Sequence, residues 1–102
     1  MYNVNVYKTT IKTMTQKIEI YTSSSCFYCT MAKRLFNDKE ISYSEFDVTN
    51  NDDLRKEMLS KSNGRRTVPQ IFINDRHIGG CDELYALEND GTLNDLLADK
   101  CE

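Results

Sequence analysis

The spacing of hydrophobic residues changes several times along the chain, and each change predicts a new secondary-structure element. Residues 17–21, Lys-Ile-Glu-Ile-Tyr, alternate and are rich in β-forming residues, which predicts a strand. Apolar residues then recur every three to four positions from Phe27 to Phe36, which is typical of an amphipathic helix. Residues 41–48, Ile-Ser-Tyr-Ser-Glu-Phe-Asp-Val, predict a second strand whose alternation is imperfect.

A second helix is predicted after this strand. Asn50 can cap its first turn, where the positive end of the helix dipole favours Asp52 and Asp53. The helix runs to about Lys61, and Gly64 suits the left-handed conformation that often follows the end of a helix.

Two short strands and two helices complete the chain. The third strand lies within residues 68–73, and an Asn-Asp pair forms a hairpin turn into a fourth strand over residues 76–79. Residues 81–90 predict a helix that Gly91 stops, and we expect Thr92 to cap the last helix.

The resulting order, β-α-β-α-β-β-α-α, predicts an α/β protein. The first β-α-β unit implies parallel strands joined by a right-handed crossover, and the hairpin adds an antiparallel edge. We therefore expect a three-layer fold in which a four-stranded mixed sheet carries helices on both faces.

Composition narrows the class of protein. At 102 residues the chain fits one domain, and 39% hydrophobic and 28% charged residues are typical of a soluble globular protein. A net charge of −3 argues against nucleic acid as the main partner, because no basic stripe is present to displace counterions. The apolar runs are too short to span a bilayer, so we expect no membrane partner either.

The first fifteen residues differ from the rest of the chain. They contain Lys8 and Lys12 but no acidic residue. Met14 lies just before the first predicted strand and is therefore an alternative start. We predict that residues 1–15 form an N-terminal extension without a catalytic part, and that residues 16–102 form one domain.

The four cysteines favour a reducing compartment. Cys26, Cys29, Cys81 and Cys101 are too few for a secreted disulfide scaffold, and the N-terminus shows no hydrophobic signal region. We expect a cytoplasmic protein, in which a Cys-x-x-Cys pair is more often catalytic or metal-binding than structural. No role is assigned to Cys101.

The position of the Cys26–Cys29 pair suggests redox chemistry. The pair follows a strand and opens a helix, with Ser25 as the expected N-cap. Unpaired N–H groups and the helix dipole then favour the thiolate of Cys26, while Cys29 lies one turn deeper on the same face. Cys26 is the predicted nucleophile and Cys29 the resolving thiol.

Two other interpretations of the cysteines stay open at this point. The pair can be a static disulfide or simple packing. Alternatively, Cys26, Cys29, His77 and Cys81 have the spacing of a zinc site. The bulky Phe27-Tyr28 between the first two cysteines disfavours zinc, since a zinc knuckle needs a tight turn.

Three segments together resemble the glutaredoxins, most closely the bacterial dithiol type. Cys-x-x-Cys alone is weak evidence for the family. The three motifs Cys-x-x-Cys, Thr-Val-Pro and Gly-Gly-Cys-Asp, in this order along the chain, are a specific signal. The resemblance runs from about Lys17 to Leu97, and its motifs are Ile-Tyr-Thr-Ser-Ser-Ser-Cys-Phe-Tyr-Cys (residues 20–29), Gly-Arg-Arg-Thr-Val-Pro-Gln-Ile-Phe-Ile-Asn-Asp (64–75) and His-Ile-Gly-Gly-Cys-Asp-Glu-Leu-Tyr-Ala-Leu (77–87).

The resemblance implies a thioredoxin-like fold and glutathione-dependent reduction of protein disulfides and protein–glutathione mixed disulfides, by a protein that we expect to be a monomer. It further implies a cis Pro69 facing the cysteines, with the Val68 backbone pairing with the cysteinyl unit of glutathione. Residues assigned to glutathione on this basis are Tyr28, Arg65, Thr67, Val68, Pro69, Gly80, Cys81 and Asp82.

Individual roles follow from the same resemblance. The backbone of Cys81 and Asp82 would hold the γ-glutamyl carboxylate at a helix N-terminus, and the Asp82 side chain would hold the ammonium group. Arg65 would pair with the glycyl carboxylate, with Arg66 as a second candidate. The Cys81 thiol itself is expected only to fill space.

The sequence departs from the family at two positions beside the first cysteine. Phe27 replaces the usual proline, and Ser23 replaces a lysine that many members carry. Some glutaredoxins without that proline bridge a [2Fe–2S] cluster between two subunits, so a cluster-bridged dimer is the alternative function. A thioredoxin-type reductase served by a flavoprotein is a further neighbour.

Overall fold

The computed structural model describes residues 17–98 and confirms the predicted order of elements. The predicted extension over residues 1–15 and the tail cysteine Cys101 lie outside the described residues. The elements are β1 (Ile18–Thr22), α1 (Phe27–Asp38), β2 (Ser44–Asp47), α2 (Asp52–Lys61), β3 (Gln70–Ile73), β4 (Arg76–Gly79), α3 (Cys81–Asn89) and α4 (Thr92–Leu97).

The four strands form one mixed sheet in the order β2-β1-β3-β4. β1 and β2 pair in parallel, whereas β1–β3 and β3–β4 pair antiparallel, as the strand–helix–strand unit and the hairpin predicted. Asn74 and Asp75 form the hairpin turn with φ angles of +51° and +69°, the left-handed conformation that asparagine and aspartate tolerate best.

Alternation along the central strands produces two hydrophobic clusters, one on each face of the sheet. On one face, β1 and β3 pack against α1, α3 and α4 through Ile18, Ile20, Ala32, Leu35, Phe36, Ile71, Ile73, Leu84, Leu93 and Leu97. On the other face they pack against α2 through Tyr21, Val48, Met58 and Phe72. Helices therefore cover both faces, which confirms the three-layer arrangement.

The predicted caps of α2 and α4 were each wrong by one position. Asn51, not Asn50, caps α2, because its extended backbone lets Oδ1 accept the N–H of Leu54 at 3.0 Å. Thr92 is the first residue of α4 rather than its cap: Gly91 precedes it with φ of +85°, a conformation that glycine adopts without strain.

None of the helices within residues 17–98 is both long enough and apolar enough to cross a membrane.

Candidate active site

The Cys26 sulfur itself caps helix α1. The predicted cap, Ser25, was wrong, because Ser25 adopts a left-handed conformation with φ of +60°. That turn places Cys26 at the N-cap position in an extended conformation, where its Sγ accepts the N–H of Cys29 at 3.1 Å. A donor at the positive end of a helix therefore points directly at the Cys26 sulfur.

The two cysteines differ in access and in acidity. Cys29 is 1% exposed and Cys26 is half-buried, and both are free thiols in this structure. Burial raises the pKa of the Cys29 thiol to about 12, and the hydrogen bond and charge of Cys26 act in the same direction. The Ser23 N–H and the charge of Lys33 oppose this rise in pKa. Cys29 is therefore a protonated thiol at neutral pH.

A loop ahead of β3 lies against the cysteine pair. The Val68–Pro69 peptide bond is cis, as the resemblance implied, and the Val68 carbonyl oxygen lies 3.8 Å from the Cys26 Sγ. The N-terminus of α3 approaches this loop closely, because a Cβ atom on Gly80 would lie 3.2 Å from the Pro69 carbonyl oxygen. Glycine at this position keeps the two segments in contact.

These segments enclose a groove of about 260 Å³ beside the cysteines. It brings together the eight residues that the resemblance assigned to glutathione, whose roles in binding remain predictions. Arg66 does not line it. The lining residues are Tyr28, Arg65, Thr67, Val68, Pro69, Gly80, Cys81, Asp82 and one residue that the sequence analysis missed, Glu83.

Glu83 links the two walls of the groove. Its Oε1 accepts the N–H of Gly80 at 2.7 Å, and its Oε2 lies 3.8 Å from the Arg65 Nη2. The Gly80 hydrogen bond holds the pKa of Glu83 below its usual value. An acidic residue at the third position of a helix is a recognisable capping signal in sequence, although its contact with Arg65 is not.

Cys81 opens α3 but is a poor nucleophile. The residue is 7% exposed, and burial followed by the charge of Asp82 raises the pKa of its thiol. That its side chain only fills space remains a prediction.

A second, polar cleft of about 450 Å³ lies against the Cys26–Cys29 pair and includes Lys33. The Lys33 ammonium contacts the Glu45 carboxylate at 2.9 Å, and the Thr22 hydroxyl donates to the same oxygen at 2.8 Å. Sequence reasoning missed these residues, because β2 and α1 meet only in the folded protein.

Two aromatic rings stand exposed next to Cys26. Phe27 is 71% and Tyr28 56% exposed, and their centroids lie 5.6 Å apart in an edge-to-face arrangement. Tyr28 lines the groove and Phe27 lines the polar cleft, so one exposed ring belongs to each of the two depressions.

The zinc pattern is not assembled in the part of the chain that the structure describes. Among residues 17–98, no three His, Cys, Asp or Glu side chains lie close enough to hold a metal ion. His77 instead hydrogen-bonds Gln70 through Nε2 at 2.7 Å and packs against the ring of Phe72.

The fold and the cysteine pair define a class of protein. A mixed sheet with helices on both faces and a Cys-x-x-Cys pair opening the first helix are the features of the thioredoxin-like thiol–disulfide oxidoreductases. The sequence model of the glutaredoxin family matches residues 18–78. The chain belongs to the glutaredoxin family.

Relatives support this assignment over most of the chain. Glutaredoxin 3 of Escherichia coli is 51% identical over 80 residues, which are 78% of this chain and 95% of that protein. The solution structure of a glutaredoxin from Brucella melitensis is 46% identical with a TM-score of 0.70, covering 80% of this chain and 88% of that one. A buckwheat glutaredoxin–glutathione complex is 29% identical with a TM-score of 0.73, covering 89% and 84%.

Proposed function

We propose that this glutaredoxin is a cytoplasmic, monomeric enzyme that uses glutathione to reduce protein disulfides and protein–glutathione mixed disulfides. The observation that carries the proposal is the groove beside Cys26, which combines the edge of a cis-proline loop with the N-terminus of a helix. A similar chain, the buckwheat glutaredoxin, has been solved as a complex with glutathione.

The groove matches an extended peptide with charged ends. Its Val68 edge would pair with the cysteinyl unit through the backbone, which holds a peptide without reading its side chains. The first N–H groups of α3, at Cys81 and Asp82, would bind the γ-glutamyl carboxylate, because such groups have no acceptor within the helix. Asp82 would hold the ammonium group, and Arg65 the glycyl carboxylate.

Reduction of a mixed disulfide then needs only Cys26. Its thiolate attacks the glutathione sulfur, a Cys26–glutathione disulfide forms, and the protein thiolate leaves and takes a proton from water. A second glutathione thiolate attacks the bound glutathione sulfur, which yields glutathione disulfide and restores the Cys26 thiolate. One reduced glutathione is consumed in each cycle, because the other half of the glutathione disulfide comes from the substrate and the substrate protein is released as a thiol.

Reduction of a protein disulfide also needs Cys29. The Cys26 thiolate attacks one sulfur of the substrate disulfide, and the first substrate thiolate leaves. The Cys29 thiolate then attacks the Cys26 sulfur, so that a Cys26–Cys29 disulfide forms and the second substrate thiolate leaves. Two glutathione molecules reduce the Cys26–Cys29 disulfide to the two thiols and leave as glutathione disulfide. Once Cys26 is in a disulfide, its charge no longer raises the pKa of Cys29. The Ser23 N–H and Lys33, which lower that pKa, remain. The first step thus favours the second.

A glutathione-coupled assay on wild type, Cys26→Ser and Cys29→Ser tests these roles. We expect Cys26→Ser to lose both reactions, and Cys29→Ser to keep the reduction of mixed disulfides while losing the reduction of protein disulfides. Equal loss in both variants would contradict the assignment.

Two rival functions are separated by the same preparations. Turnover that continues with a flavoprotein reductase and without glutathione would indicate a thioredoxin-type enzyme. Iron, acid-labile sulfide and visible absorbance in anaerobically purified protein would indicate the cluster-bridged dimer.

A further inference from the structure

A buried amide holds the loop that forms one rim of the groove. Gln70, the first residue of β3, is fully buried, and its Nε2 donates to the Thr67 carbonyl at 2.9 Å and to the Thr67 Oγ1 at 3.2 Å. Its Oε1 lies 2.7 Å from the His77 Nε2. A buried amide without partners is unfavourable by about 1–3 kcal/mol, so these bonds determine where the side chain lies.

The hydrogen-bond pattern assigns the proton on His77. Rotating the Gln70 amide by 180° would place its oxygen against the Thr67 carbonyl oxygen, two acceptors facing each other, so the amide nitrogen must point to Thr67. The amide oxygen then accepts, and His77 must donate from Nε2. Burial, followed by the charge of Arg65, holds the pKa of His77 below its usual value, so the ring is neutral with its proton on Nε2.

His77 is itself held firmly. It pairs with Phe72 across β3 and β4, and its ring lies against that of Phe72 with centroids 4.9 Å apart. A strand-borne ring therefore orients Gln70, and Gln70 orients the loop. We call this series of hydrogen bonds, from His77 through Gln70 to Thr67, the relay. It gives a structural role to the one histidine of the chain, which was a candidate zinc ligand from the sequence.

The loop is fixed at its other end in the same way. Ser62 is 1% exposed, and its hydroxyl donates to the Arg65 carbonyl at 3.2 Å and accepts the Arg65 N–H at 3.1 Å. Two of the buried polar side chains within residues 17–98 thus hold the segment from Arg65 to Thr67, and the two ends of that segment, Arg65 and Thr67, line the groove. This segment lies outside any helix or strand, so it has no ladder of backbone hydrogen bonds to fix it.

We propose that Gln70, oriented by His77, is a positioning residue for glutathione binding that holds the Thr67–Val68 rim at the height of the Cys26 sulfur. The proposal rests on the proposed function, because the rim matters only if glutathione occupies the groove. The predicted signature is a higher KM for the glutathionylated substrate with little change in kcat, because the hydrogen bonds of the Gln70 side chain go to Thr67 and His77 and not to a cysteine.

Gln70→Met tests the relay with a side chain of similar volume that makes none of the three bonds. We expect KM for a glutathionylated peptide to rise about tenfold, equivalent to about 1.4 kcal/mol, and kcat to change less than twofold. His77→Phe keeps a ring against Phe72 but cannot donate to Gln70, so KM should rise about threefold. The double variant should resemble Gln70→Met alone, because both substitutions interrupt one relay.

Tyr21→Phe is the matched control. It removes a hydroxyl that donates to Glu57 at 2.8 Å, a bond from the same sheet but away from the groove, and should leave KM unchanged. If Gln70→Met fails to fold, the KM of His77→Phe still tests the proposal, together with the amide NMR shifts of Thr67 and Val68 in His77→Phe.

The proposal is overturned if KM stays within twofold of wild type in both variants, if kcat falls instead, or if Tyr21→Phe raises KM equally. A wild-type protein with no saturable turnover of the glutathionylated peptide would instead refute the proposed function. The two failures are therefore distinguishable.

Discussion

The folded protein should protect Cys29 from alkylation, although Cys29 lies only three residues from the accessible Cys26. With a pKa of about 12, Cys29 has a thiolate fraction on the order of 10⁻⁴ at pH 8. An ordinary cysteine, with a pKa of about 8.5, is roughly one-quarter thiolate at that pH. Ionisation alone therefore predicts protection on the order of 10³-fold, and an exposure of 1% adds to it.

Time-resolved peptide mass spectrometry with iodoacetamide at pH 8 measures this protection directly. In native reduced protein we expect Cys26 to be modified first and Cys29 only on a far longer timescale, whereas in denaturant both should react at similar rates. Cys29→Ser serves as the control, because its backbone N–H is still available to the Cys26 sulfur.

The Cys26→Ser variant separates the two causes of protection. Burial is the largest cause of the high Cys29 pKa, and the hydrogen bond and charge of Cys26 come after it, so Cys29 should stay slow in this variant. The reasoning is refuted if native Cys29 reacts within tenfold of Cys26, or if Cys26→Ser makes Cys29 react as fast as in denaturant.

Two further predictions concern stability. Phe36→Ala should lower the free energy of unfolding by about 3–5 kcal/mol in urea denaturation, because the ring is fully buried. Phe27→Ala is the control and should change it by less than about 0.5 kcal/mol, because that ring is 71% exposed. Similar losses of unfolding free energy in the two variants would contradict this reasoning. The Lys33 hydrogen bond lowers the pKa of Glu45 in the folded protein below its ordinary value of 4.5. This pair therefore stabilises the fold fully above pH 4.5, and its contribution is lost as the pH falls through the lowered pKa of the folded state. Solvent screening limits it to less than about 1 kcal/mol, and a Lys33→Met acid-unfolding curve parallel to that of wild type below pH 5 would count against the pair.

The element order could be predicted because each local signal agreed with the fold. Alternation in β1 and β3 places apolar side chains on both faces, and these faces are the two hydrophobic clusters of the structure. The left-handed turn at Asn74–Asp75 also follows from residue type alone. Periodicity and turn chemistry are local, so a sequence displays them without knowledge of the tertiary contacts.

The helix caps could not be assigned to the residue, because adjacent polar residues compete for them. Ser25 and Cys26 can both cap α1, and the choice depends on the left-handed turn at Ser25, which no sequence pattern marks. The same ambiguity separates Asn50 from Asn51 at α2.

Contacts between distant elements were the other limit. Glu83 meets Arg65, and Gln70 meets His77, only after the sheet and α3 are assembled. The groove residues could be named in advance only because they resemble a family, since composition and spacing do not indicate that Arg65 and Asp82 line one groove.

The capping of α1 by a sulfur links folding to electron transfer. A thiolate is a better acceptor for the Cys29 N–H than a disulfide sulfur, so reduced protein should have the stronger helix start. A thermodynamic cycle connects folding with reduction of the Cys26–Cys29 pair. The difference in folding free energy between the oxidised and reduced proteins therefore sets how far the reduction potential of the pair in the folded protein departs from its value in the unfolded chain, with about 1.4 kcal/mol corresponding to 30 mV. The stability of one helical turn is thereby one of the quantities that sets how strongly this protein reduces its substrates.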